Sequence, residues 1–278
     1  QTWFSSNTAP DVISIAGDIL STFVAQGVFA DLSGYLDKAK LLSGTWPKVS
    51  IDAFRYKGTI VATPFVFKIP AIVYNKTLFD KAGLAYPKDD WTEDQLLELA
   101  KKLTTGTGND KIYGFNLSFW PYYITRGLLG EHYYDIPNRK MKAVGNEGFK
   151  HSVQLFADMI AKYGVSPDDS AAKAIGGGFE TGRFAMALTG TFDMPTFEKT
   201  IGDKFAWDIV MLPTNRQFGP WKGNLFVDGF GVSARSTHKD KAWEFIRWMS
   251  TERASQEIAS GIGIPALSPY ANSAAYLN

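Results

Sequence analysis

An α/β fold in roughly two domains is what this sequence predicts, and three observations predict it. Short apolar runs of strand character alternate along the chain with stripes of apolar residues spaced three and four apart, as on helices. At 278 residues the chain is longer than one small core usually needs. Apolar residues make up 45 % and charged residues 21 %, the proportions of a soluble globular protein rather than a disordered or fibrous one.

The elements follow in order. After a Pro10-Asp11 turn, Val12-Ile13-Ser14-Ile15-Ala16 is a continuous apolar run that suits a buried parallel strand. Leu20, Phe23, Val24, Gly27 and Val28 then form one helical stripe, which Asp31-Leu32-Ser33 ends. Lys57-Gly58 reads as a two-residue hairpin turn between Arg55-Tyr56 and Thr59-Ile60, and Pro70-Ala71-Ile72-Val73-Tyr74 as another buried strand. Thr92 and Gln95 have capping-box spacing for a helix whose inner face is Leu96, Leu99, Ala100 and Leu103. A polar stretch, residues 104–110, precedes the aromatic run 113–123, and this shift in composition predicts a domain crossing.

A long helix is expected from about Asn146, with Phe149, Val153, Phe156, Ile160 and Tyr163 on one stripe and Gly164 at its end. Strands are expected at 184–188, 208–212 and 226–233. The Pro- and Gly-rich loop 213–223 before the last of these is a second candidate crossing. Ala242, Phe245, Ile246 and Met249 mark a further amphipathic helix, and Gly261-Ile262-Gly263-Ile264-Pro265 interrupts the pattern.

Composition removes several classes of function. Twenty-nine basic against twenty-eight acidic residues give a net charge of +1, which leaves no field to hold nucleic acid. No apolar run approaches the ~20 residues a membrane span requires, so a soluble chain is expected, its targeting segment already removed. The absence of cysteine excludes disulfides, thiolate metal sites and cysteine nucleophiles. The three histidines, His132, His151 and His238, have no zinc-site spacing and read as surface or cap residues. No Walker A loop, GxSxG elbow or complete GxGxxG fingerprint occurs. The pairs Asp89-Asp90 and Asp168-Asp169 read as solvated turns. The tyrosine pairs Tyr122-Tyr123 and Tyr133-Tyr134 leave a ferric site open, since phenolate is a hard ligand, against the alternative of amphipathic aromatic packing. No cofactor is expected.

Several segments, in one order, resemble a known family. They are Pro10-Asp11-Val12-Ile13, Gln26-Gly27-Val28-Phe29-Ala30-Asp31-Leu32, Val73-Tyr74-Asn75-Lys76-Thr77-Leu78-Phe79-Asp80-Lys81-Ala82-Gly83-Leu84 and Trp91-Thr92-Glu93-Asp94. Phe179-Glu180-Thr181-Gly182-Arg183-Phe184-Ala185-Met186, Asp228-Gly229-Phe230-Gly231 and Lys241-Ala242-Trp243-Glu244-Phe245 continue the series. Together they resemble the extracellular solute-binding proteins of ABC importers, in the sugar-binding, maltose-binding-protein-like group. The resemblance implies a two-lobed, type II periplasmic-binding-protein-like fold, its lobes joined by crossing hinge strands with the ligand cleft between them. It divides the chain into lobe one, 1–110 plus 231–263, and lobe two, 111–230 plus 264–278.

The function it implies is non-catalytic capture of a mono- or oligosaccharide and delivery to the membrane permease subunits of an importer. The protein would be a monomer in the periplasm or a lipoprotein on the outer face of the cell membrane. The alternatives are a glycan-active hydrolase or lyase and a ferric-ion-binding transport protein. A pyranose offers apolar faces and a rim of hydroxyls, so its site wants aromatic rings and carboxylates or amides. By resemblance the candidates are Asp18, which also suits a helix N-cap, Phe67 and Lys68 in the loop before the Pro70 strand, and Trp120. Phe192 would be a ring platform and Asp193 a helix cap or hydroxyl acceptor. Asp228 and Phe230 stand on a crossing strand, with Trp221 and Asn224 in the loop before it. Relatives carry an acid where this chain has Lys68, which raises the expectation of an acidic ligand such as a uronate-containing saccharide. Against the family pattern the chain also looks truncated at both ends: a strand and helix should precede Gln1 and closing helices should follow Asn278. Such a cut would expose a sheet edge in lobe one and an uncovered face in lobe two.

Overall fold

Two antiparallel sheets, each with its own helices and core, account for most of the regular structure in the computed structural model, which describes residues 6, 8–17, 19–117, 134–135, 138–221 and 225–277. Seven strands build these sheets. They are β1 (Val12–Ala16), β2 (Thr63–Lys68), β3 (Pro70–Asn75), β4 (Met186–Gly190), β5 (Trp207–Val210), β6 (Phe226–Val232) and β7 (Ile264–Pro265). The chain divides into a first unit, residues 1–68 and 225–278, and a second unit, residues 69–224.

The first unit holds the sheet β1-β6-β2-β7. Its central strand β6 pairs with β1 over Val12↔Val232 to Ala16↔Asp228 and with β2 over Phe226↔Lys68 to Phe230↔Thr63. The expected parallel pairing of residues 12–16 is corrected: β1 runs antiparallel to β6 and is only part-buried. The adjoining helix is also shorter than its stripe suggested, Leu20–Val24, because the chain turns at Gly27 with a φ of 67°. The core gathers Leu32, Leu36, Phe54, Ile60 and Ile246, all at or near zero exposure. The hairpin at Lys57-Gly58 forms as expected, with φ of 48° and 91° at the two turn residues, the positive pair that matches strand twist.

The second unit holds the sheet β4-β3-β5, with Asn116 bridged in parallel to Ala187 of β4 and Tyr113 to Phe184 just before it. The capping box is present in full: Thr92 Oγ1 accepts from the Gln95 N–H, and Gln95 Oε1 accepts from the Thr92 N–H. The helix it starts, Glu93–Leu103, buries Leu96, Ala100 and Leu103 against Ile72, Phe115 and Met159. Asn146 caps the helix Glu147–Ala157 through its side-chain oxygen. Its buried face, Ser152, Leu155 and Phe156, is continued by Met159 in the π-helical turn Asp158–Lys162 that follows, while Val153 of the helix and Ile160 of the turn are exposed. The expected stripe is thus rotated, because two overlapping sets of apolar residues satisfy helical spacing and only packing chooses between them. The final amphipathic helix, Lys239–Thr251 of the first unit, shows the same ambiguity: Ala242, Trp243 and Ile246 are buried and Phe245 faces out.

The expected lobe boundaries at 110/111, 230/231 and 263/264 differ from this division. β3 is hydrogen-bonded on both sides within the second unit, by β4 and β5, so the chain changes unit at 68/69. Tyr113, Phe115 and Leu117, where composition suggested a crossing, lie inside the second unit's core. β6 and β7 both pair with β2, which keeps residues 225–278 in the first unit. Hydrogen-bonded strand pairing overrides a composition shift, because buried backbone groups require partners.

Candidate functional site

The first unit's polar cluster arises from the repeat Asp228-Gly229-Phe230-Gly231 on β6. A side chain at Gly229 would meet the Thr63 carbonyl oxygen at 2.1 Å and the Phe54 ring at 2.8 Å. One at Gly231 would meet the Phe29 ring at 2.6 Å. These glycines let two core rings press directly on the strand. The register shifts between Asp228 and Gly229, where β2 carries an extra residue, Phe65, between their partners Val66 and Pro64, a bulge that bends β2. Asp228 lies opposite Val66, so its side chain shares a face with Lys68, two residues further along β2. Lys68 Nζ reaches Asp228 Oδ2 at 2.5 Å, with the two side chains 28 % and 21 % exposed. The Gly17 N–H donates to the Val227 carbonyl at 2.8 Å, which ties the turn after β1 to this part of β6.

In the second unit, residues 187–189 of β4, residues 177–180 and the residues at the start of the helix Met194–Ile201 line a pocket of about 400 Å³. Its polar groups are Asn116, Glu180, Thr189, Asp193 and Thr196. Asp193 precedes the helix Met194–Ile201 without its side chain capping it. Its Oδ2 instead accepts from the Thr189 hydroxyl at 2.5 Å. Burial holds the Asp193 carboxyl above the ordinary carboxylate range; the Thr189 hydrogen bond opposes that shift and the Glu180 carboxylate adds to it. Phe192 is half-buried, with its ring where a side chain on Gly190 would otherwise lie. Carboxylates, an amide and hydroxyls around one cavity can order a polyhydroxylated ligand by hydrogen bonds.

Residues 3–276 match the family described as bacterial extracellular solute-binding protein. The chain belongs to this family. Among curated relatives, the maltotriose-binding protein of Pyrococcus abyssi is 26 % identical over 95 % of this chain, and a putative binding protein of Brucella abortus is 24 % identical over 88 %. The chain spans 56 % and 59 % of the length of these two relatives. Among solved structures, the ABC substrate-binding protein Lmo0181 of Listeria monocytogenes, in complex with cycloalternan, has a TM-score of 0.82 at 25 % identity, covering 99 % of this chain and 72 % of that one. The maltotriose-binding protein of Thermus thermophilus, bound with maltotriose, has a TM-score of 0.75 at 25 % identity, covering 96 % and 69 %. The fold is the two-lobed type II α/β fold of these solute-binding proteins.

The family's sequence-predicted site residues divide into three groups. Asp18, Trp120 and Asn224 lie outside the described residues. Lys68 and Asp228 are brought together, and Asp193 lines the second unit's pocket, beside Thr189, which was not among the expected residues. The remaining expectations are corrected or narrowed. Phe67 is not in a loop but on β2, 8 % exposed, within the first core. Trp221 is 4 % exposed in the second core, and its indole N–H donates to Glu93. Phe230 is half-buried, its ring 5.0 Å from that of Phe65, so packing takes part of the surface expected to face a ligand. Lys68, from which an acidic ligand was expected, is paired with Asp228 rather than standing as a lone cation.

One polar cluster was missed. Glu93, 6 % exposed, accepts from Trp221 Nε1 at 2.8 Å, and its other oxygen lies 2.6 Å from His151 Nε2. Asn215 Nδ2 is 3.1 Å from the same ring nitrogen, and the Phe218 ring packs 5.3 Å from the imidazole. His151 is therefore a tertiary contact, not the surface or cap residue expected, whereas His238 is exposed beside its helix start. The only signal for Glu93 was its place in the first helical turn, where an acid is favoured anyway. Asp168 caps the helix Asp169–Ile175, whereas Asp89 accepts from the Met211 N–H, a tertiary contact across 122 residues rather than a solvated turn. The tyrosine pairs fall outside the described residues or among those whose side chains are not described.

Proposed function

We propose that this protein captures a carbohydrate, a mono- or oligosaccharide, outside the cytoplasm and delivers it unchanged to the permease subunits of an ABC importer. The observation that carries the reading is the family match over residues 3–276, joined by relatives at 25–26 % identity whose names state a saccharide ligand. The chemistry of the two units supports it: Asp228 with Lys68 in the first, and Asn116, Thr189 and Asp193 with the nearby Phe192 ring in the second. Asp18, Trp120 and Asn224 join them by resemblance. The protein acts as a monomer, free in the periplasm or tethered to the outer face of the membrane; no helix among the described residues is long and apolar enough to cross one.

The test is a thermal-shift screen of the purified protein against maltotriose, mannobiose, cycloalternan and a wider saccharide panel, followed by calorimetry on each hit. A saccharide at 100 times its dissociation constant stabilises the native state by about 2.7 kcal/mol. One-to-one binding with the saccharide recovered intact is expected. No saturable shift with any saccharide overturns the reading. Turnover of a bound saccharide, abolished in Asp193→Asn or Asp228→Asn, replaces it with a glycan-active enzyme.

A further inference from the structure

The Lys68–Asp228 pair has a consequence for which saccharides the proposed site accepts. Lys68 ends β2 opposite Phe226, and Asp228, two residues further along β6, holds the diagonal position, so both project from the same face of the first unit's sheet. The lysine stem passes Gly263, where an added side chain would lie 3.6 Å from Lys68 Cγ. Its ammonium meets the Asp228 carboxylate at 2.5 Å, and neither group forms another ion pair among the described residues. Both side chains stay partly exposed, at 28 % and 21 %, so a ligand can reach them.

We infer that this ion pair makes the site selective for uncharged polyhydroxylated saccharides and against anionic ones. This rests on the carbohydrate reading above. A lone lysine would attract a carboxylate, and a lone aspartate would attract a cation. Paired, they present no net charge but keep both hydrogen-bonding senses, since the ammonium has three N–H donors and the carboxylate a second oxygen. A sugar hydroxyl complements that arrangement: it accepts from Nζ–H while donating to the carboxylate. A ligand carboxylate at Lys68 would stand beside the Asp228 carboxylate, and like charges so placed select against a wrong partner. Lys68 thus tunes the charge of Asp228 rather than recruiting an acidic ligand.

The experiment compares matched saccharides by calorimetry: maltotriose with its C6-oxidised, glucuronate-containing counterpart, and mannobiose with a mannuronate dimer. Wild-type protein should favour the neutral member of a pair by about tenfold or more. Asp228→Asn preserves shape and frees the ammonium, so the acid-to-neutral affinity ratio should rise about tenfold. The double variant Lys68→Gln/Asp228→Asn removes both charges and should lose that gain, which shows that the lysine charge causes it; circular dichroism checks that each variant is folded. Equal or tighter wild-type binding of the acidic member overturns the inference, as does a ratio unmoved by Asp228→Asn, while the carbohydrate reading stands. Absence of binding by every saccharide overturns the reading itself and the inference with it.

Discussion

The indole N–H of Trp221 is hydrogen-bonded to the Glu93 carboxylate at 2.8 Å, across 128 residues of sequence. Both residues are almost fully buried. The bond fixes the end of the segment that carries the short hairpin Thr214–Asn215 and Gly219–Pro220 to the first turn of the helix Glu93–Leu103. Glu93→Ala leaves the indole N–H buried without its partner, at a cost of about 1–3 kcal/mol, and Trp221→Phe relieves that penalty in the double variant. Urea unfolding followed by circular dichroism measures both. Additive costs for the two substitutions would contradict the coupling.

Gly229 and Gly34 have opposite surroundings. Gly229→Ala forces a methyl group against the Thr63 carbonyl oxygen and the Phe54 ring, which separates β6 from β2 and should destabilise the first unit by about 3 kcal/mol or more. Gly34, within the helix Ser33–Lys38, has nothing within 4 Å of the same position. Gly34→Ala should therefore stabilise by about 0.5–1 kcal/mol, since alanine loses less conformational freedom in a helix. Denaturant midpoints of the two variants should move in opposite directions.

Asp193 supplies a pH dependence whose sign follows from burial. Its carboxyl is raised above the ordinary 3.8, so the folded protein holds that proton to higher pH than the unfolded chain does. The stability linked to this group is fully present below 3.8 and is lost as pH rises through the folded value. Asp193→Asn abolishes that loss, so the melting temperature of the variant relative to wild type should climb across this range. Thr189→Val removes the hydroxyl that favours the charged form and should move the carboxyl titration, followed by NMR, further upward. A constant difference between Asp193→Asn and wild type across the acid range would contradict this assignment.

Much of the local structure was legible in the residues. Thr92 and Gln95 form their capping box, Lys57-Gly58 makes its hairpin, and Asn146 starts its helix, because each depends on chemistry within three or four positions. The family was legible too, since its motifs are local strings in a fixed order. The buried faces of two helices were not: Val153 and Phe245 satisfy helical spacing as well as their buried neighbours do, and face outward. Nor were the unit boundaries, which depend on how β3 and β7 pair.

The candidate site separates along the same line. Sequence alone pointed to Asp193, Asp228 and Lys68 through the resemblance, because they stand at positions that match the family's ligand-contact motifs. Only the tertiary structure decided their state. Lys68 and Asp228 are 160 residues apart in the chain yet meet at 2.5 Å, which turns an apparent anion attractor into a neutral pair. Trp221 and Glu93 meet in the same way, which turns a candidate ring platform into a core residue. A residue's type is written in the chain, but its charge balance and exposure depend on what the fold brings beside it, and those long-range contacts leave no local periodicity to read.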